Sequence, residues 1–113
     1  MTIYHIAFAT DWAQAQHDGE YRISTRGRTL EEQGFIHAGT ADQVAPVANM
    51  IYGQERELLV LVIDEDRLIS DVRYDDVPGS DKPFPHIYGP LNVDAVVQTI
   101  PLEPGPGGRF AFG

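Results

Sequence analysis

Apolar and polar positions along this chain alternate with more than one period, and the changes of period mark its elements. Leu58-Leu59-Val60-Leu61-Val62-Ile63 is an unbroken run of six apolar residues. It is the length of a strand and predicts a central strand buried on both faces. Ile3 to Phe8 reads as a first strand. Its alternation puts Ile3, His5 and Ala7 on one face and Tyr4, Ile6 and Phe8 on the other. The second set is a core face, so His5 looks towards a cleft or a second layer. Ala95 to Leu102, with Val96, Val97 and Ile100, predicts the last strand.

Helical signals lie between these strands. Thr10 or Asp11 can cap a helix from Trp12 to about His17, stopped by Gly19, with Trp12 in the core and His17 at the surface. Thr29 and Glu32 have capping-box spacing for a short helix over Leu30 to Gln33, ended by Gly34. Phe35-Ile36-His37 then reads as a buried strand. Thr40 and Gln43 repeat the capping box for a helix over Ala41 to Tyr52, with Val44, Val47, Ala48 and Ile51 on one face and Gly53 as the stop. Pro46 inside that helix removes a hydrogen bond and predicts a kink.

The remaining stretches are shorter. Glu20 to Ile23 predicts a short strand bearing Tyr21, and Ser24 to Arg28 a loop. Gln54 to Glu57 and Asp64 to Arg67 read as turns, and Leu68-Ile69 and Val72-Arg73-Tyr74 as extended pieces. Asp75 to Pro85 carries Pro78, Gly79, Pro83 and Pro85 and predicts a mobile loop. His86-Ile87-Tyr88 follows, then a turn at Gly89-Pro90 and one helical turn started by Asn92 or Asp94. The expectation is one domain over residues 1–103 and a poorly ordered Gly/Pro-rich tail over 104–113. No repeat, linker or second domain stands out.

Charge and composition narrow the chemistry. The net charge of -9 argues against general nucleic-acid binding. Arg22, Arg26 and Arg28 form the one basic concentration, read either as a solvated loop or as an anion-binding edge. With no cysteine there is no disulfide, thiolate metal site or cysteine nucleophile. No apolar run approaches a membrane span, and the expected location is cytoplasmic. Ser24, Thr25, Thr40 and Ser70 lack the elbow motif of a hydrolase nucleophile, and there is no P-loop or dinucleotide fingerprint.

Histidines stand out instead. His37 sits near a strand end just before a helix, His5 in the first strand, and His86 behind the proline-rich loop. Three neutral imidazoles could ligate a metal, although none shows close ligand spacing. They could equally be core histidines. Together with Tyr4, Tyr21, Tyr88 and the arginines, they make a sensible nucleotide site: imidazole for sugar hydroxyls, an aromatic for a flat ring, arginine for pyrophosphate.

At these residues a resemblance enters. Ile3-Tyr4-His5-Ile6, Gly34-Phe35-Ile36-His37, Val47-Ala48-Asn49, Leu59 to Asp64, Val72-Arg73-Tyr74 and Phe84 to Asn92 resemble the bacterial family called domain of unknown function 952, over about residues 2 to 102. That family is similar to the ADP-ribosyltransferase-like fold: compact α+β, two small split β-sheets with short helices around an NAD cleft. The likeness extends to the RNA 2′-phosphotransferases of that superfamily.

The resemblance implies a small-molecule nucleotide ligand such as NAD or ADP-ribose. His5 and His37 would hold ribose and phosphate, Tyr21 or Tyr88 would stack on nicotinamide, and Arg22 or Arg28 would neutralise pyrophosphate. Thr40 would supply a hydroxyl where the family commonly has Cys-Ser and this chain has Ala38-Gly39. His86 would lie at the cleft rim. His5, His37 and His86 are thereby the expected catalytic set, for ADP-ribosyl or 2′-phospho transfer. The late catalytic glutamate of the better-known transferases has no clear counterpart, Glu103 being poorly placed after the last strand. The alternative expectation is a non-catalytic interaction domain whose histidines are structural.

Overall fold

The structure is a computed structural model and describes residues 1–53 and 55–112. Gln54, at the head of the expected polar turn, and Gly113, the end of the expected tail, lie outside the described residues. In chain order the elements are β1 (Thr2–Phe8), α1 (Ala9–Asp18), β2 (Glu20–Tyr21), β3 (Ile23–Thr25), β4 (Arg28–Thr29), α2 (Leu30–Gln33), β5 (Ile36–His37) and α3 (Ala41–Val47). There follow β6 (Leu58–Asp64), β7 (Asp71–Asp75), β8 (Phe84–Tyr88), β9 (Leu91–Asn92) and β10 (Val96–Leu102). This is an α+β arrangement of several small sheets and a few short helices.

The apolar run is the middle strand of the main antiparallel sheet, in order β1-β6-β10. Both faces of β6 are covered, as the run requires. Leu61 and Ile63 join Ile3, Ala7, Trp12 and Tyr21 in one core, while Leu58 and Val60 join Ile6, Val44, Ala48 and Tyr52 in another. Ile3 and Ala7, which share the strand face of His5, belong to the first core. A second antiparallel sheet has the order β5-β8-β7. It places His37 opposite His86 and Arg73 also opposite His86. The two sheets meet where Tyr4 and Gly39 exchange two backbone hydrogen bonds of 2.8 Å.

Local chemistry accounts for the helices. Thr29 and Glu32 form the expected capping box, and Gly34 closes α2 at φ 93°, a conformation that costs a side chain with Cβ appreciable strain. At α3 the Thr40 N–H donates to Gln43 Oε1 at 2.9 Å. Pro46 has its effect: α3 stops at Val47 and the chain continues as a single π-turn, Ala48–Tyr52, before Gly53.

Several expectations are corrected. Two split sheets become four, because β2 pairs with β9 and β3 with β4 as two-stranded ribbons. These strands are two or three residues long, too short for any periodicity to announce them. The loop expected over Ser24 to Arg28 is thus largely hairpin. Helix α1 starts at Ala9 with Phe8 as its cap, so neither Thr10 nor Asp11 caps it. Leu68-Ile69 is not a strand.

The tail is not loose. Phe110 is buried in the second core, and the Asn49 amide clamps its backbone with bonds of 2.8 and 3.1 Å. Phe112 packs edge-on against Tyr4 with ring centroids 5.5 Å apart. A buried phenylalanine outweighs the entropy of the Gly/Pro-rich segment before it. We therefore expect Phe110→Ala to lower the unfolding free energy in urea by about 3 kcal/mol, whereas a loosely attached tail would leave it unchanged.

Candidate functional site: a histidine-walled cavity

A cavity of about 310 Å3 opens between β1, the start of α3 with the π-turn behind it, and the Val77–Ser80 loop that leads to β8. Tyr4, Ile6, Val44, Val47 and Ile51 make most of it apolar. Its polar positions include His5, His37, His86 and Gln43. No arginine, lysine, aspartate or glutamate is among the lining residues.

His5 is buried, with both ring nitrogens bonded to protein. Nδ1–H donates to the His37 carbonyl, and Nε2, 2.9 Å away, accepts from the Tyr21 hydroxyl. Burial pushes its imidazolium down to about 4, against a smaller upward pull from the carbonyl. Tyr21 is itself 1% exposed, lies edge-on to His5 and packs beside Trp12. Burial raises its phenol well above the usual value. It does not line the cavity, so it cannot stack on a ligand there.

His37 is half-buried. Its Nδ1 lies 3.0 Å from Ser24 Oγ, and that hydroxyl donates to the Phe35 carbonyl at 2.5 Å. Ser24 is fully buried with its proton already bonded, which rules it out as a nucleophile poised on His37. Burial, and then the neighbouring His86, hold His37 below the ordinary imidazole range.

His86 is 4% exposed, and it lies in the cavity lining rather than at the expected rim. Its Nδ1 is 2.8 Å from Asp75 Oδ2, which also accepts from the Tyr88 hydroxyl. Those two donors, Tyr88 first, hold the Asp75 carboxyl below the usual carboxylate range. Phe35 stacks on the His86 ring at 4.2 Å and 18°. The rings of His37 and His86 stand edge to face, 5.2 Å apart. His86 Nε2 is buried and has no partner among the described residues.

The other expected site residues lie elsewhere. Arg22 pairs with Glu20 at 2.7 Å and with Glu31 at 2.5 Å on the surface. Arg28 is exposed on β4, and Arg26 pairs with Glu55. These arginines are therefore outside the cavity, because each follows its own short strand or turn. The Thr40 hydroxyl donates to Asp42 at the head of α3. Tyr88 lies behind His86, its ring 4.8 Å from the Arg73 guanidinium. The three-histidine metal arrangement is not assembled, and no metal-holding cluster of His, Cys, Asp or Glu occurs among the described residues. Among the described residues no helix is long and apolar enough to cross a membrane.

Asp75 is the residue that sequence reasoning missed outright; Ser24 was considered there only as a hydrolase nucleophile, Gln43 only as a helix cap and Phe35 only as part of the buried strand. Alternation along β8 does put His86 and Tyr88 on one face, but nothing local tells that Asp75 arrives on that same face from β7.

The chain is a compact α+β domain with three histidines in the lining of one cavity. A profile described as "Protein of unknown function (DUF952)" matches residues 6–99, and the chain belongs to that family. The crystal structure of protein CC0527 from Caulobacter crescentus is similar at 25% identity, covering 98% of this chain and 94% of that one, with a TM-score of 0.85. The solution NMR structure of CC0527 is similar at 26% identity, covering 96% and 90%, with a TM-score of 0.78. No curated protein matches the chain.

The His5 shift has a consequence for stability. Its folded value of about 4 lies below the 6.5 of an exposed imidazole, so between them the unfolded chain binds more protons. Stability is then full above about pH 6.5 and falls as the pH drops towards 4. His37, shifted the same way, adds to the slope. We expect His5 to cost about 3 kcal/mol across that window, read from urea unfolding at a series of pH values. A flat profile between pH 7 and 4 would show that His5 is not buried in this way.

Proposed function

We propose that the chain is an ADP-ribosyltransferase-like domain that binds a nucleotide of the NAD or ADP-ribose type, with the nucleoside part in the cavity. The observation that carries this reading is His86, a buried histidine of the cavity lining whose Nε2 has no hydrogen-bond partner among the described residues. A buried polar atom without a partner is costly in a folded protein, and a ligand that bonds it removes the cost. Two three-stranded sheets joined at Tyr4 and Gly39 beside the cavity are compatible with a split-sheet fold. A volume of about 310 Å3 suits a nucleoside better than a whole dinucleotide.

Binding is better supported than transfer. An oxocarbenium-like ribose needs a nearby carboxylate, and none lines the cavity. Asp75 is bonded to His86 Nδ1 and does not line the cavity, nor do Arg22 and Arg28.

A second reading, a non-catalytic domain with structural histidines, is favoured by His5 alone, since both of its nitrogens are satisfied by protein. It gives no account of His86.

Thermal-shift titration with nicotinamide, NAD and ADP-ribose separates the two. A ligand of the native state at ten times its Kd adds about 1.4 kcal/mol of stability. In His86→Phe the ring stack on Phe35 is kept but the acceptor is gone, so the response should disappear while the protein stays folded. A flat response in the wild type, or an unchanged one in His86→Phe, would contradict nucleotide binding through His86.

A further inference from the structure

The hydrogen bonds made by the Nδ1 atoms of the two cavity imidazoles determine which nitrogen of each ring carries the proton. Ser24 Oγ gives its one proton to the Phe35 carbonyl, so towards His37 Nδ1 it can only accept. His37 therefore carries its proton on Nδ1. Asp75 Oδ2 is an acceptor already bonded by Tyr88, so His86 Nδ1 also carries the proton. In each neutral ring the remaining nitrogen, Nε2, is a lone pair. Burial and His86 favour the neutral form of His37.

We propose that this wall of the cavity selects a neutral group bearing N–H or O–H donors, such as a primary carboxamide or a ribose diol, and rejects carboxylates and phosphates. The inference rests on the nucleotide reading and specifies which end of the ligand enters: the uncharged nucleoside end, with phosphate kept outside. Two lone pairs repel an anion, and no lining arginine or lysine offsets that repulsion. Ser24 and Asp75 are the positioning residues, since each holds the proton on the far nitrogen of its histidine.

Two measurements on the intact protein test this. Two-bond 1H–15N correlation spectra at pH 8 should show the Nδ1–H tautomer at both His37 and His86; Nε2–H at either would overturn the assignment. Nicotinamide and nicotinate differ only in the donor-bearing carboxamide, so nicotinamide should shift the resonances of His86, Val44 and Tyr4 at concentrations about tenfold lower or more. Equal potency would overturn the donor selectivity and leave the nucleotide reading standing. Silence towards both compounds would overturn the donor selectivity, while the NAD and ADP-ribose titrations decide the nucleotide reading separately. In Ser24→Ala, His37 Nδ1 loses its acceptor. The Nε2–H tautomer should then appear at His37 and the preference for nicotinamide should narrow; an unchanged tautomer and preference would remove Ser24 from the positioning role.

Discussion

His5 ties the molecule together. From the middle of β1 its imidazole donates across to the His37 carbonyl in β5 and accepts from the Tyr21 hydroxyl at the end of β2. One ring thus joins the main sheet, the second three-stranded sheet and a two-stranded ribbon. The bond to Tyr21 is buried, so losing Tyr21 as a partner would leave the His5 Nε2 buried and unpaired. The bond to the His37 carbonyl holds the backbone of β5 in place, and β5 in turn presents His37 and sets Phe35 against His86.

That constraint divides the work among three histidines of similar local sequence. His5 lies between apolar neighbours with both ring nitrogens bonded to protein. His37 is fixed on one side by Ser24 and lines the cavity with its ring. His86 is held by Asp75 on one edge and by Phe35 on its face, with Nε2 unpartnered among the described residues. Side-chain type is the same in all three, and function follows from which atoms the surrounding backbone and hydroxyls already occupy.

The cavity is apolar for a related reason. The helix that covers it is interrupted at Pro46 and widens into a π-turn, which brings Met50, Ile51 and Tyr52 to the cavity edge. Charged side chains in this acidic chain pair with one another at the surface, as Arg22 does with Glu20 and Glu31 and Lys82 with Asp42. The polar character of the cavity is therefore left to imidazoles, one amide and hydroxyls, a donor and acceptor set rather than a charged one.

The strands β1, β6 and β10, the capping boxes of α2 and α3, the break at Pro46 and the importance of the Phe35–His37 and His86 stretches were all legible along the chain. Each depends on residues within a few positions of one another: a period of apolar side chains, a side chain reaching its own helix end, a ring that fixes φ. The two ribbons, the docking of Phe110 on Asn49, and the pairing of Asp75 with His86 were not legible. They depend on strand register and on contacts between residues 11 to 61 positions apart. The histidines could be picked out from sequence, but the protonated nitrogen of each depends on a carbonyl, hydroxyl or carboxylate placed by another strand. That is why the tertiary structure alone decided which of their nitrogens are already bonded within the protein.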